Sequence, residues 1–303
     1  MRISTDGIRN KILKKIHVIV EIKGGFGNQL FQFAFANSLR EMGYKVKVKT
    51  NFYEQFENLN NYENTYRKLI LPETLFGFKK TNKLTNKLLV WAHKFNKSKK
   101  IKKIFGERDN SFFIKLKDSD YSLDKMNKKV VHLDGYWQNI DSIVLNKKYL
   151  IESISKNLIL KEGFNNSPTS DSVMLNVRRN DYLEMNEELK NNFYQESINY
   201  IESKINDMEL NIFTDDLSWV QNNDIFSFAQ NIYGPEDEPD KVVELFSKMI
   251  QHKHFIIGNS TFSLIAAVLS EQNDSIIIIA SPWFRNKDKK NLSKENWIQI
   301  ENK

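Results

Sequence analysis

The chain has 303 residues, of which 40% are apolar and 12% aromatic, enough for one large α/β unit or two domains and too apolar for disorder. It contains no cysteine, which excludes disulfide scaffolds, thiolate zinc sites and cysteine nucleophiles. The net charge of +7 is local: residues 79–105 hold ten lysines and no acid, and the rest of the chain is net −3.

IHVIVEI (16–22) reads as a buried strand. In GGFGNQLFQFAFANSLREMG (24–43), Leu30, Phe33, Ala34, Asn37 and Leu39 keep a helical spacing, and Gly43 supplies the stop. YKVKVKT (44–50) alternates with period two, completing a β-α-β start that favours a parallel sheet. Residues 51–128 are polar and are expected to form helices and loops. VVHLDGYWQN (130–139) is a strand running into an aromatic turn, 141–160 is helical, and KEGFNNSPTSDS (161–172) is the best linker in the chain. Strands then recur at 172–179, 210–216, 231–234, 254–260 and 275–280, with helical patterns at 193–206, 241–251 and 261–270. That alternation predicts a second doubly wound domain.

Ligands of open α/β sheets sit outside the carboxyl ends of the strands. Three predicted strand ends carry polar groups: Arg178-Arg179-Asn180-Asp181, Thr214-Asp215-Asp216 and Asn259-Ser260-Thr261. A guanidinium fork suits a phosphate because it makes two charge-assisted hydrogen bonds and never deprotonates. Ser260 and Thr261 fall where a helix begins, so hydroxyls and free amides are also available to an anion. Together these features suggest a pyrophosphate site. The plainer alternative pairs Arg179 with Asp181 at the surface and leaves the hydroxyls as helix caps. The turn GGFGNQ (24–29) suits an anion too, or is a tight turn needing positive φ; it matches neither G-x-G-x-x-G nor the P-loop.

Asp215-Asp216 suits a base, a ribose or a helix cap as well as a metal. DSD at 118–120 has the D-x-D form of metal-dependent sugar transferases, a pattern that 38 acidic residues produce by chance. The five histidines are scattered, and His252 and His254 read as surface residues. No G-x-S-x-G elbow supports a serine nucleophile. In the basic segment, Leu84, Leu88, Trp91, Ala92 and Phe95 share one helical face, opposite Lys83, Lys87, Lys94 and Lys97. Such a helix either packs its stripe into the core or rests on an anionic membrane. A nucleic-acid role for 79–105 is the rival from another class, and a core-like aromatic stripe argues against it. No apolar run approaches the roughly 20 residues of a membrane helix, SIIIIASPWF at 275–284 being among the longest, so a soluble or peripheral protein is expected.

Read together, GGFGNQLFQFAFA, VMLNVRRNDY, FTDD and IIGNSTFSLIAAVL, in that order, closely resemble the α-1,2-fucosyltransferases of glycosyltransferase family 11, as do LDGYWQN and the terminal SPWF and NWIQI. The resemblance spans 18–300, apart from the basic segment. It implies an α/β, GT-B-type architecture of two Rossmann-like domains: an acceptor-side domain over 1–160 with the insert at 79–105, and a GDP-sugar domain over 161–303. It also implies inverting, metal-independent transfer of fucose from GDP-β-L-fucose to the 2-hydroxyl of a galactoside in a bacterial surface glycan, in the cytoplasm or at the inner face of the membrane. Another GDP-6-deoxyhexose, or another linkage, is the alternative within the same fold.

By that resemblance Arg178 holds the β-phosphate and Asp181 is the second catalytic candidate, although its arginine neighbours weaken it as a base. Asn176, Arg179, Asp215, Asp216, Asn259, Ser260, Thr261, Phe262 and Ser263 line the donor pocket. Gly25, Gly27, Asn28 and Gln29 approach the sugar and phosphates. The family has His where this chain has Asn176 and Gly where it has Asn180; Asn176 hydrogen-bonds but exchanges no proton near neutral pH. Arg178→Ala is expected nearly to abolish transfer with the fold intact, and Arg178→Lys to rescue poorly.

Overall fold

The computed structural model describes residues 16–54, 68–97, 113–236, 238–285 and 292–302. They form two compact units: one of residues 16–24, 29–54, 72–97 and 113–138, the other of 25–28, 68–71, 139–236, 238–285 and 292–302.

In the first unit, β1 (His17–Glu21), β2 (Lys45–Lys49), β3 (Phe113–Lys117) and β4 (Val130–Asp134) make an all-parallel sheet in the order β2-β1-β4-β3. β1 leads into helix α1 (Phe26–Glu41) and then β2, as the sequence expects. A short helix α2 (Asn51–Glu54) follows β2. β3 lies in the stretch expected to hold only helices and loops; it pairs with β4 alone, at the sheet edge.

Helix α3 (Lys83–Lys97) forms where the basic periodicity places it, but it is turned differently from the core-packed reading. Leu89 is buried against Ile19 and Phe113, with Ala92 beside it. Leu84 (66% exposed), Leu88 (57%) and Trp91 (63%) face outward. The side chains of 95–97, and all of 98–105, lie outside the described residues.

The second unit opens with α4 (Ile140–Leu145), α5 (Lys147–Ile154) and α6 (Leu158–Asn165). Helix α6 occupies the first half of the segment read as a linker. It buries Leu160 and Gly163, and Ser247 Oγ donates to Ile159 O at 3.0 Å. The compact units therefore part at 138/139, ahead of the 160/161 boundary drawn from the polar run.

The elements that follow are β5 (Ser172–Val177), α7 (Asn180–Met185), α8 (Asn191–Glu202), β6 (Glu209–Thr214), α9 (Leu217–Gln221), β7 (Asn231–Tyr233), α10 (Pro239–Met249), β8 (His254–Ile257), α11 (Thr261–Ser270), β9 (Ile277–Ser281) and β10 (Ile298–Glu301). The sheet is all parallel, in the order β10-β9-β8-β5-β6-β7. β5 is buried at all six positions, as a central parallel strand covered on both faces must be. Helix α8 packs Phe193, Tyr194, Ile198 and Ile201, one helical face, onto Val173, Leu175 and Ile212. His252 and His254, expected at the surface, are buried: His252 Nδ1 lies 3.2 Å from Met249 O, and His254 Nε2 is 2.9 Å from Ser170 O. Burial lowers both imidazole pKa values.

Each unit thus has the parallel, Rossmann-like build expected of a GT-B-type chain. Each sheet also has a point where the chain reverses its direction of growth. In the first it lies between β1 and β4, and in the second between β5 and β8. Crevices outside the carboxyl ends of strands at such points are where α/β proteins bind ligands.

Candidate active site

The β5/β8 switch point gathers most of the residues singled out above. β5 ends at Val177, so Arg178 leaves the sheet at its carboxyl edge and Arg179 is the residue before α7. The Arg178 guanidinium bridges two carboxylates, Asp181 Oδ1 at 2.8 Å and Asp215 Oδ2 at 3.0 Å. Burial works against its charge, but Asp215 and Asp181 outweigh that and raise its pKa. Arg179 goes the other way. Its Nε pairs with Asp216 Oδ2 at 3.2 Å, and its guanidinium lies 3.9 Å from the centre of the Trp219 ring. The pairing of Arg179 with Asp181 weighed from the sequence is replaced by these two separate clamps.

Asp215 and Asp216 therefore anchor the arginines. Asp215 Oδ1 also accepts from the Arg179 amide at 2.7 Å, and Asp216 caps α9 by accepting from Trp219 N at 3.0 Å. Asn180 Nδ2 donates to Asp215 O at 2.9 Å. Asp181, bound to Arg178, is placed to fix the guanidinium fork.

Asn176 is buried inside the sheet. Its Nδ2 donates to Phe213 O at 3.1 Å, and its Oδ1 accepts from Ser263 Oγ at 3.1 Å. Asn176 and Ser263 thus join β5, β6 and α11 as structural polar partners. Asn259 donates through Nδ2 to Glu187 O at 2.7 Å and offers its own carbonyl to Tyr182 Oη at 2.8 Å. Tyr182, which the sequence did not single out, also lies beneath Arg178, 5.6 Å from guanidinium to ring centre. It ties the end of β5 to the end of β8. Spacing was the available signal, since Tyr182 is four residues beyond Arg178 on a helix.

Ser260 precedes α11 without capping it through its side chain, and the first helical hydrogen bond runs from Leu264 N to Ser260 O. The amides of Thr261, Phe262 and Ser263 come before that bond and carry the positive end of the helix dipole. Residues 25–28 belong to this same unit. A Cβ at Gly27 would lie 2.5 Å from Thr261 C and O and 2.7 Å from Phe262 N, so only glycine lets the start of α1 approach the start of α11 this closely. Phe26 packs on Phe246 and Phe262 with ring centres 5.0 and 6.1 Å apart, which makes Phe262 a packing residue. Gly25 and Asn28 are half-buried beside them. Gln29 belongs to the first unit and is buried there, where its Nε2 donates to Gly24 O at 3.1 Å. Gly24 is the turn's positive-φ residue, at +79°.

A cavity of about 560 Å³ opens beside Asp216 and Trp219, lined also by Asn191, Ser218, Asn222, Asn223 and Asp224. This lining offers carboxylates, side-chain amides, a hydroxyl and an indole, and no cationic side chain. Asp118 of the DSD run serves the backbone, accepting from Tyr136 N at 2.9 Å and Trp137 N at 3.1 Å. Among the described residues, no group of three or more His, Asp or Glu side chains is arranged to hold a metal ion.

Two parallel α/β units, with an arginine pair and free helix amides at a sheet switch point, define a protein of the Rossmann-like, GT-B type. Comparison with known proteins gives that class its particular form. Residues 17–301 match the profile of glycosyl transferase family 11, and the chain belongs to that family. It is 28% identical over 303 residues to an alpha-1,2-colitosyltransferase of Escherichia coli, covering 94% of this chain and 99% of the relative. It is 27% identical over 139 residues to the O-antigen biosynthesis glycosyltransferase WbnK of Escherichia coli, covering 43% of this chain and 45% of that protein. Among solved structures, a mutant of Arabidopsis thaliana FUT1 in complex with GDP overlaps with a TM-score of 0.43 at 12% identity, over 91% of this chain and 74% of that one.

Proposed function

We propose a donor, an acceptor and a mechanism for this member of glycosyl transferase family 11. It moves a 6-deoxyhexose, L-fucose or a close relative, from its GDP-β-linked donor to the 2-hydroxyl of a galactoside in a bacterial surface glycan, with inversion and without a metal. The observation that carries this reading is the Arg178 fork, held by Asp181 and Asp215 at the β5/β8 switch point of the sheet that ends in the α11 amides.

When the bond from the anomeric carbon to the β-phosphate oxygen breaks, its electron pair leaves with the phosphate while the sugar becomes oxocarbenium-like. A guanidinium already fixed in place stabilises that growing charge without reorganising, and the α11 amides add a second, fixed positive potential. The acceptor oxygen attacks the opposite face of the sugar, inverting the anomeric centre. Its proton passes late in the step to solvent water or to an oxygen of the departing diphosphate, since the Asn176 amide is not a base and Asp181 is engaged by Arg178. A donor carrying colitose is the second reading, favoured by the full-length relative of that name. Incubating the protein with GDP-fucose and other GDP-deoxyhexoses, EDTA and a set of β-galactosides, with linkage read by NMR, tests both readings. No transfer from any such donor would overturn the proposal.

The acceptor's location joins this reading through α3. No helix among the described residues is long and apolar enough to cross a membrane. An exposed Leu84–Leu88 stripe on the same helix as the exposed Lys83, Lys87 and Lys94 suits a helix lying on an anionic bilayer that carries a lipid-linked glycan.

A further inference from the structure

The switch point of the first sheet carries a polar constellation of its own, which the donor reading leaves unused. β1 and β4 are neighbours there, and the chain leaves them through Lys23 and through Asp134, Gly135, Tyr136 and Trp137. Asp134 is gripped from both sides, Lys23 Nζ on Oδ1 and Lys115 Nζ on Oδ2, each at 2.7 Å. Burial alone would raise the Asp134 carboxyl, but Lys115 and Lys23 outweigh it and hold it well below the usual carboxylate range. It is therefore a permanent acceptor with a fixed orientation.

The two lips of this crevice are locked together. Gln32, fully buried, accepts from Lys23 N at 2.8 Å and donates to Lys23 O and Gly135 O at 3.2 and 3.1 Å. The turn beyond is held in a conformation that side-chain-bearing residues avoid: Trp137 has φ +55°. Asp118 enforces it by accepting both the Tyr136 and the Trp137 amides, and a Cβ at Gly135 would collide with that carboxylate. Trp137 is stacked on Phe35 at 4.3 Å, and its buried Nε1 has no hydrogen-bond partner among the described residues. Strain that surrounding structure holds in place is characteristic of ligand sites. Its product here is the placement of Tyr136, the turn's exposed aromatic (39%), with Lys23 Nζ 5.1 Å from the ring centre.

An exposed aromatic face beside a fixed carboxylate and ammonium matches a pyranose, whose C–H face is apolar and whose rim is a ring of hydroxyls. It does not match an anion, which would compete with Asp134 for both lysines. We propose that this crevice is the acceptor subsite. In it, Tyr136 stacks on the acceptor's hexopyranose ring, Asp134 accepts from a ring hydroxyl and Lys23 donates to another. The inference rests on the sugar-transfer reading above.

The test uses the full chain with Tyr136→Ala and Tyr136→Phe. Saturation-transfer NMR with methyl β-D-galactoside in the presence of GDP, and acceptor KM wherever a donor turns over, should show roughly tenfold weaker acceptor binding for the alanine variant. The phenylalanine variant should match wild type, and GDP affinity and melting temperature should stay unchanged in both. Unaltered galactoside binding in Tyr136→Ala would overturn the subsite while leaving the donor reading standing. Equal weakening of GDP and galactoside would overturn it as well, since the residue would then act on the protein as a whole. Failure of the wild-type protein to bind GDP is a separate result that counts against the donor reading alone.

Discussion

Arg178 does two jobs that substitution can separate. Its guanidinium holds Asp181 and Asp215 at 2.8 and 3.0 Å, and the Asp215 side chain is only 8% exposed. Alanine at 178 strands that carboxylate, leaving the Arg179 amide on Oδ1. Removing one member of a fully buried pair costs about 3–5 kcal/mol; a quarter of the Arg178 side chain is exposed, so screening brings the expected loss to about 2 kcal/mol. In a unit of this size that lowers the melting temperature by about 4–8 °C. The sequence alone expects the alanine variant to keep its fold undisturbed, and the structure revises that to a folded but weakened protein. Adding Asp215→Asn removes the stranded charge while an oxygen remains for the Arg179 amide, so the double variant should recover most of the loss. Transfer should not recover, because both variants lack the fork that meets the departing diphosphate, a deficit of about 2.7–4 kcal/mol or roughly 100- to 1000-fold in rate. Thermal unfolding and initial rates on the same preparations read out the two jobs. Turnover within tenfold of wild type in either variant would refute the reasoning, as would a double variant no more stable than the single one.

Gly27→Ala sets a Cβ 2.5 Å from the Thr261 backbone, about 1 Å inside ordinary contact; overpacking of this kind costs about 1–3 kcal/mol, and a lower melting temperature with a raised donor KM is expected. An unchanged melting temperature and KM would show that the two helix starts do not need to meet. Acid should weaken the first unit. Burial would raise the Glu21 carboxyl, but His132 and Lys49 outweigh it and pull it from 4.5 to about 2, so its contribution, about 3 kcal/mol, is complete above roughly pH 4.5 and is lost as pH falls toward 2. Urea midpoints at pH 7, 4 and 3 should show this fall, and Glu21→Gln should flatten it; equal slopes would dismiss Glu21 as the cause. Wild type should sediment with vesicles containing anionic lipid and far less with neutral ones, and Leu84→Gln with Leu88→Gln should reduce that binding. Equal binding to both lipids would count against the lysines.

Much of the architecture is written locally. Val173–Val177, His254–Ile257 and the isoleucine run at 276–279 announce buried parallel strands because both faces of such strands are covered. The edge strands Phe113–Lys117 and Ile298–Glu301 pair on one side only and are short, five and four residues, so neither stood out from its polar surroundings. Helix α3 shows the limit of periodicity, which finds an apolar stripe without saying what covers it. Leu89, outside the stripe read from the sequence, is the residue that reaches the core. In the candidate site, Arg178, Asp215 and Ser260 were legible because they follow apolar runs. Which carboxylate holds which arginine, the service of Asp118 to the Tyr136 turn and the approach of Gly27 to Thr261 were not, since each depends on segments far apart in the chain.

A structure determined with GDP bound tests the central claim most directly. The account predicts the β-phosphate within hydrogen-bonding distance of the Arg178 guanidinium, with the diphosphate facing the first amides of Thr261–Ser270. Phosphates seated elsewhere, with Arg178 still committed only to Asp181 and Asp215, would contradict it.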